Sequence, residues 1–136
     1  RTHKLLIAAL PMLERTSGDR IRHEIDKVFA EENMIQIMDH LHKLGILNKI
    51  HPELIWDEWD RMHLAEINLP PKDWGIGPDI KGIPIKNIFT YIIWLIRIPV
   101  SRAQKVTKRL RVSRVISENV LGACRLWKNA NIIKDA

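Results

Sequence analysis

Residues 17–54 read SGDRIRHEIDKVFAEENMIQIMDHLHKLGILNKIHPEL, and the spacing of their apolar residues decides the fold class. Ile21, Ile25, Val28 and Phe29 fall on one stripe of an α-helix, while Arg20, Arg22, Glu24, Asp26 and Lys27 take the rest of its surface. Ser17 supplies an N-cap hydroxyl, and Asp19 places negative charge in the first turn, against the helix dipole. Glu31, Glu32 and Asn33 then break the pattern. Asn33 is expected to cap a second helix, whose Met34, Ile37, Met38, Leu41 and Leu44 trace another stripe, and Gly45 to end it in a left-handed conformation. Ile46 and Leu47 continue the apolar surface, and His51-Pro52-Glu53 sets up a third helix with proline in its first turn.

Upstream, Thr2 to Arg15 reads as a helix with Leu5, Leu6, Ala9 and Leu13 inward, kinked near Leu10 because Pro11 lacks an N–H. Downstream, a helix is expected over Pro52 to Ile67, packing through Leu54, Ile55, Trp59, Met62 and Ile67, with Trp56 off the stripe. Asp57, Glu58, Asp60 and Glu66 would make its outer face acidic. Leu69 to Pro84 carries Pro70, Pro71, Gly75, Gly77, Pro78, Gly82 and Pro84, too closely spaced for a useful helix, and reads as a loop. Ile85 to Ile98 is apolar nearly all round; a buried helix is expected, with a strand as the alternative, since no partner strand is evident elsewhere. Pro99 ends it. Ser101 is expected to cap Arg102 to Leu110, and Ser113 to cap a last helix from Arg114 to about Lys128, with Asn129 to Ala136 frayed. The fold class is all-α, a bundle of about six to seven helices. Residues 1–68 and 85–136 would form two small subdomains joined by the loop at 69–84.

Composition narrows the function. With 136 residues and 46% apolar content, the chain is long enough for a core and is not disordered. Its longest apolar run, Ile88 to Ile96, falls short of the ~20 residues of a membrane span, and Leu5 to Leu10 is too short for a secretory signal. One cysteine, Cys124, excludes an internal disulfide and a multi-cysteine zinc site, so a cytoplasmic location is expected. Because the chain opens on Arg1 inside a helical pattern, an excised piece of a longer protein is expected. The net charge is +6, unevenly spread: residues 1–80 hold 10 Lys and Arg against 14 Asp and Glu, and residues 81–136 hold 12 against 2. A basic half of this kind points to a polyanionic partner.

Catalytic and metal chemistry find little support. No two of the six histidines have the i, i+4 spacing of helix-borne metal ligands, and His40 and His42 diverge by about 200° on a helix, so no metal site is assigned. Cys124 sits on an inward stripe without an adjacent histidine, and Ser17, Ser101 and Ser113 are explained as caps, so no catalytic residue is assigned. Gly75-Ile76-Gly77-Pro78-Asp79 lacks the lysine-serine pair of a phosphate loop and reads as a turn. Glu31-Glu32 and Asp57-Glu58 read as solvated faces. What remains is the run Arg102, Lys105, Lys108, Arg109, Arg111 and Arg114, followed by Arg125 and Lys128, which suits contacts to the phosphates of a nucleic acid. Trp56, Trp74 and Tyr91 are candidates for stacking on bases.

Ser17-Gly18-Asp19-Arg20-Ile21-Arg22-His23-Glu24, then Leu41-x-x-Leu44-Gly45-Ile46-Leu47, then Ile50-x-Pro52-Glu53-Leu54, with matching spacers, resembles the neck-to-body region of bacterial tRNA nucleotidyltransferases and poly(A) polymerases. The resemblance spans Arg15 to Leu54. It implies that Arg20, Arg22 and Glu24 support the neck, with Ile25 and Phe29 packed beneath. It also implies that a catalytic head, with its metal-binding aspartates and nucleotide-selecting template, would lie upstream in the parent protein, using Mg2+ with CTP or ATP. Neither motif exists here, so a fragment without catalysis or cofactor is expected. Its partners would be that head in cis and a tRNA or other RNA, the acceptor region being held through phosphates by the basic helices. The alternative is a helical protein–protein interaction module with a basic docking face.

Overall fold

The computed structural model describes residues 17–67 and 79–135, with side chains through residue 130. The helix and kink expected over Thr2 to Arg15, Trp74, and most of the turn at 75–79 lie outside the described residues. Those residues form seven helices and one two-stranded hairpin: α1 Gly18–Phe29, α2 Met34–Lys43, α3 Ile46–Ile50, α4 Glu58–Ala65, β1 Asp79–Ile80, β2 Ile83–Pro84, α5 Ile85–Leu95, α6 Val100–Leu110 and α7 Arg114–Asp135. The all-α expectation holds.

α1 begins where the capping argument puts it, the Arg20 N–H donating to Ser17 Oγ at 3.3 Å. Its stripe of Ile21, Ile25, Val28 and Phe29 is fully buried. Asn33 occupies the N-cap position of α2, but its side chain makes no capping hydrogen bond. Gly45 has φ +75°, as expected of a C-terminal cap, and it also opens α3, the Lys49 N–H reaching its carbonyl. This short helix, where local pattern shows only a continued apolar surface, buries Ile46, Leu47 and Ile50.

The helix expected over Pro52 to Ile67 is corrected to Glu58–Ala65. Residues 51–57 leave the helical path because their side chains find better partners off it. Leu54 and Trp56 are buried, and Trp56 Nε1 donates to Asp39 Oδ1 at 2.6 Å. Asp57 then starts α4 with a reciprocal capping box, accepting from the Asp60 N–H while Asp60 Oδ2 accepts from the Asp57 N–H. The later start rotates the packing face: Ile55 and Met62 are exposed, Met62 by 53%, while Trp56 and Leu64 face the core. Asp60 is also removed from the supposed acidic surface, being 0% exposed.

Part of the loop at 69–84 is a hairpin, Asp79 opposite Pro84 and Ile80 opposite Ile83. Lys81 and Gly82, both at positive φ, make the two-residue turn that matches the twist of paired strands. α5 is helical, not a strand, with Tyr91, Trp94 and Leu95 fully buried. Pro99, not Ser101, is the N-cap of α6, because the Pro99 carbonyl accepts from the Arg102 and Ala103 N–H groups. Ser101 is simply an exposed residue of the first turn. Ser113 does cap α7, accepting from the Ile116 N–H at 3.3 Å, and this helix runs to Asp135 instead of fraying after Lys128.

α1 packs against α2, α5 and α6, while α7 packs against α5 and α6. One continuous set of buried side chains therefore draws on helices before and after the loop. Phe29 meets Tyr91 and Trp94 edge-on at ring-centroid distances of 5.0 and 5.7 Å. The Tyr91 hydroxyl donates to Asp26 Oδ1 and Trp94 Nε1 donates to the Ile55 carbonyl, so both buried aromatics satisfy their polar ends within the chain. They are not available for stacking on bases, and Trp56, 3% exposed, is not either.

Candidate nucleic-acid interface

α6 carries its apolar residues Ala103, Val106 and Leu110 inward, which leaves Arg102, Lys105 and Lys108 on the exposed side. That follows from helical spacing: the cations stand off the buried stripe, so their long side chains extend into water. Lys105 and Lys108 form no ion pair with any described residue.

Three of the other cations are partly neutralised. Arg102 lies 3.7 Å from Glu53, Arg111 lies 3.0 Å from Asp19, and Arg114 lies 2.7 Å from Glu118. These pairs are exposed and each contributes little to stability, about 0–1 kcal/mol, so they can exchange for another anion. Arg109 is only half-exposed and donates from Nε to the Ile50 carbonyl, tying α6 to the end of α3. It serves the fold. Arg125 and Lys128 are exposed further along α7.

The sequence motif at the start of α1 sits directly behind this face. Gly18 meets the last turn of α6 so closely that a Cβ placed on it would stand 1.8 Å from the Arg109 carbonyl oxygen. Arg22 Nη1 donates to the Arg111 carbonyl at 2.6 Å and to Asp19 at 3.2 Å. Arg111 itself has φ +51°, a left-handed cap usually left to glycine, and its N–H is held by the Thr107 and Lys108 carbonyls. Arg22 thus meets the carbonyl end of α6, where positive charge suits the helix dipole. Glu24 is buried, with Oε1 3.8 Å from Lys27, while Arg20 is exposed.

Sequence reasoning missed His51, Gln104 and Ser117. His51 borders the cationic face; burial holds its pKa below the ordinary imidazole value, and the charges of Arg109 and Lys105 push the same way against Glu53. It is therefore neutral at physiological pH and adds no charge to the surface. Gln104 and Ser117 join Thr107, Lys108, Arg111, Val112 and Leu121 around a groove of about 660 Å3 between α6 and the first turns of α7. Only a tertiary contact between two helices makes such a groove, and no local sequence signal marks it. Cys124 is buried, its thiol donating to the Leu95 carbonyl at 3.3 Å, and burial pushes its pKa up. Such a thiol is a poor nucleophile. Among the described residues, no group of three His, Cys, Asp or Glu is placed to hold a metal ion, and no helix is long and apolar enough to cross a membrane.

Residues 1–58 match the family model described as "Probable RNA and SrmB- binding site of polymerase A". That part of the chain is thus similar to the RNA-binding domain of the poly(A) polymerase and CCA-adding family, and the motif resemblance over Arg15 to Leu54 lies within it. Neither a curated protein nor a solved structure matches the chain.

Proposed function

We propose, from the RNA-binding domain in residues 1–58 and the cationic helix seated on it, that this protein holds RNA, with the tRNA acceptor region as its ligand, through phosphate contacts from α6 and α7. The observation that carries the reading is the abutment of α1 and α6: Gly18, Asp19 and Arg22 of the family-like motif touch the end of the most basic helix. Lys105 and Lys108 are the principal contacts, because they are exposed and without an ionic partner among the described residues. Arg102, Arg111 and Arg114 join them by exchanging Glu53, Asp19 and Glu118 for phosphate oxygens. Arg125 and Lys128 extend the same positive surface along α7. Phosphate contacts fix position without reading bases, so binding would be strong at low salt and tolerant of sequence. The partner named in the family description, SrmB, is a second occupant consistent with the domain.

Two measurements test this. Binding to a labelled tRNA and to an acceptor minihelix, titrated over a salt series, is expected to weaken steeply with salt. Lys105→Ala with Lys108→Ala is expected to reduce the slope of log K against log salt by about 0.7–0.9 for each phosphate no longer neutralised. Absence of binding to either RNA at low salt would overturn the reading. The internal ion pairs make a prediction of opposite sign. Asp19→Asn and Glu53→Gln together free Arg111 and Arg102, and RNA affinity at low salt is expected to rise about two- to tenfold, as one or two further neutralised phosphates would produce. If the double variant binds more weakly, those arginines do not face the RNA.

A further inference from the structure

We infer that the groove between α6 and α7 is a seat for a single unpaired nucleotide of an RNA strand. The inference rests on the RNA-holding reading above and adds to it what kind of RNA this face selects.

The chemistry of this shallow groove is divided in a way that phosphate contacts alone do not need. Val112 and Leu121, both partly buried and packed on the core, supply an aliphatic contribution to its lining. Lys108 supplies positive charge, joined by Arg111 where it leaves Asp19, Gln104 supplies a side-chain amide and Ser117 a hydroxyl, and no acid among the described residues lines the groove. The Gln104 amide, the Ser117 hydroxyl and the Lys108 ammonium have no hydrogen-bonding partner among the described residues, whereas the Thr107 hydroxyl already donates to the Gln104 carbonyl. The groove is shallow and open to solvent, with room of about 660 Å3, so it would hold one face of a ligand and leave the other in water. Arg111 takes a left-handed conformation with its carbonyl accepting from Arg22 Nη1, and its guanidinium, 3.0 Å from Asp19, would turn to the groove only by leaving that pair.

An A-form duplex keeps its bases stacked and offers a concave groove nothing to insert. An unstacked nucleotide presents a flat apolar face, hydrogen-bonding edges and an anionic phosphate on one unit, matching Val112 and Leu121, Gln104 and Ser117, and Lys108 and Arg111 in turn. The positive rim favours this ligand over a neutral or basic peptide. An acidic peptide shares the charge but has no base to fill the aliphatic part.

The test compares the full chain's binding to a short single-stranded RNA and to a blunt RNA duplex, using fluorescence anisotropy at one low salt concentration. Two groove-filling variants, Ser117→Phe and Gln104→Trp, leave every cation in place; Gln104 is exposed on α6, so its variant preserves the fold if the first does not. Either folded variant is expected to lose about tenfold or more in single-strand affinity, the effect of one base contact, while duplex affinity stays within about twofold. Equal, unchanged affinities for both RNAs in both variants would overturn the seat and leave the RNA-holding reading intact. Wild-type protein that binds neither RNA would overturn both. A polyglutamate peptide that binds wild type and competes away the single strand, with both variants losing the peptide equally, would assign the groove to an acidic protein partner instead.

Discussion

Gly18→Ala is expected to destabilise the protein by roughly 3 kcal/mol or more, the upper range for overpacking a close contact. Helix propensity alone favours the opposite outcome, since alanine is better than glycine in a helix by up to about 1 kcal/mol. What reverses the sign is the Arg109 carbonyl oxygen, 1.8 Å from where the new Cβ would stand, with the carbonyl carbon at 2.9 Å. Both are backbone atoms of α6, so no side chain can swing away. Relief requires α1 and α6 to separate, which loosens the packing of Ile21 and pulls Arg22 from the Arg111 carbonyl. Gly122→Ala is the matched control: this glycine lies in α7 with nothing within 4 Å of where a Cβ would stand, and the change is expected to stabilise by a few tenths to about 1 kcal/mol. Urea unfolding of the two variants beside wild type measures both. A Gly18→Ala protein as stable as wild type would mean that α1 does not seat on the end of α6 as described.

The second large effect centres on Asp60, a carboxylate with no exposed surface. Arg97 reaches it from just beyond α5 at 3.0 Å and also pairs with Asp57 at 2.8 Å, while its guanidinium lies 4.3 Å from the centre of the Trp59 ring. Trp59 in turn stacks on His63 and meets Trp127 edge-on, so one arginine links α4, the end of α5 and α7. Removing it by Arg97→Met leaves a buried carboxylate unpaired, expected to cost about 3–5 kcal/mol at pH 8.

Burial pushes the Asp60 carboxyl up to about 7, outweighing the Asp57 N–H and Arg97, which favour the ionised form. Between the ordinary unfolded value, near 4, and about 7 the native protein holds a proton that the unfolded chain has released, so this residue's contribution makes stability fall as pH rises through that window and level off above it. Asp60→Asn is expected to flatten this dependence, and Arg97→Met to extend the fall to higher pH, so that its loss is smaller at pH 6 than at pH 8. Asp57 acts in a separate, acid window: its hydrogen bond from Arg97 holds its carboxyl below the usual range, and the stability it contributes is lost only as pH falls through that lowered value. Thermal or urea unfolding at pH 5, 6, 7 and 8 follows Asp60 alone, and further points below pH 4 are needed to reach Asp57. A wild-type profile rising steadily over this range, unchanged by Asp60→Asn, would remove Asp60 as its cause.

Much of this protein is legible from local pattern. The four-three-one spacing of Ile21, Ile25, Val28 and Phe29 fixes a helix and its buried face, because a 3.6-residue period allows those side chains only one common direction. Ser17, Gly45 and Ser113 mark helix ends through hydrogen bonds or dihedrals that act within a few residues. The charge division between the halves is likewise complete in the sequence, and it already points to a polyanion.

The elements that local pattern misplaces are those where a distant group competes with a local preference. Pro52 to Asp57 suits the first turns of a helix, but Asp39 offers Trp56 a buried partner, and Asp57 with Asp60 makes a better start than Pro52 does. Asp60 reads as an exposed acid because nothing near it in sequence announces Arg97. The same holds for the basic surface. Composition names its cations, yet only packing separates Lys105 and Lys108, which face water, from Arg109, which holds α3, and from Arg102, Arg111 and Arg114, which meet acids. The groove of Gln104, Lys108, Arg111 and Ser117 exists only because α6 and α7 lie side by side. Sequence by itself determined α1, α2, α5 and α6, the inward faces of α1 and α6 and the division of charge between the halves, since these depend on period and composition. Tertiary structure decided which charges are paired, where Gly18 is required and where α6 and α7 leave a groove, since these depend on atoms that meet only when the chain is folded.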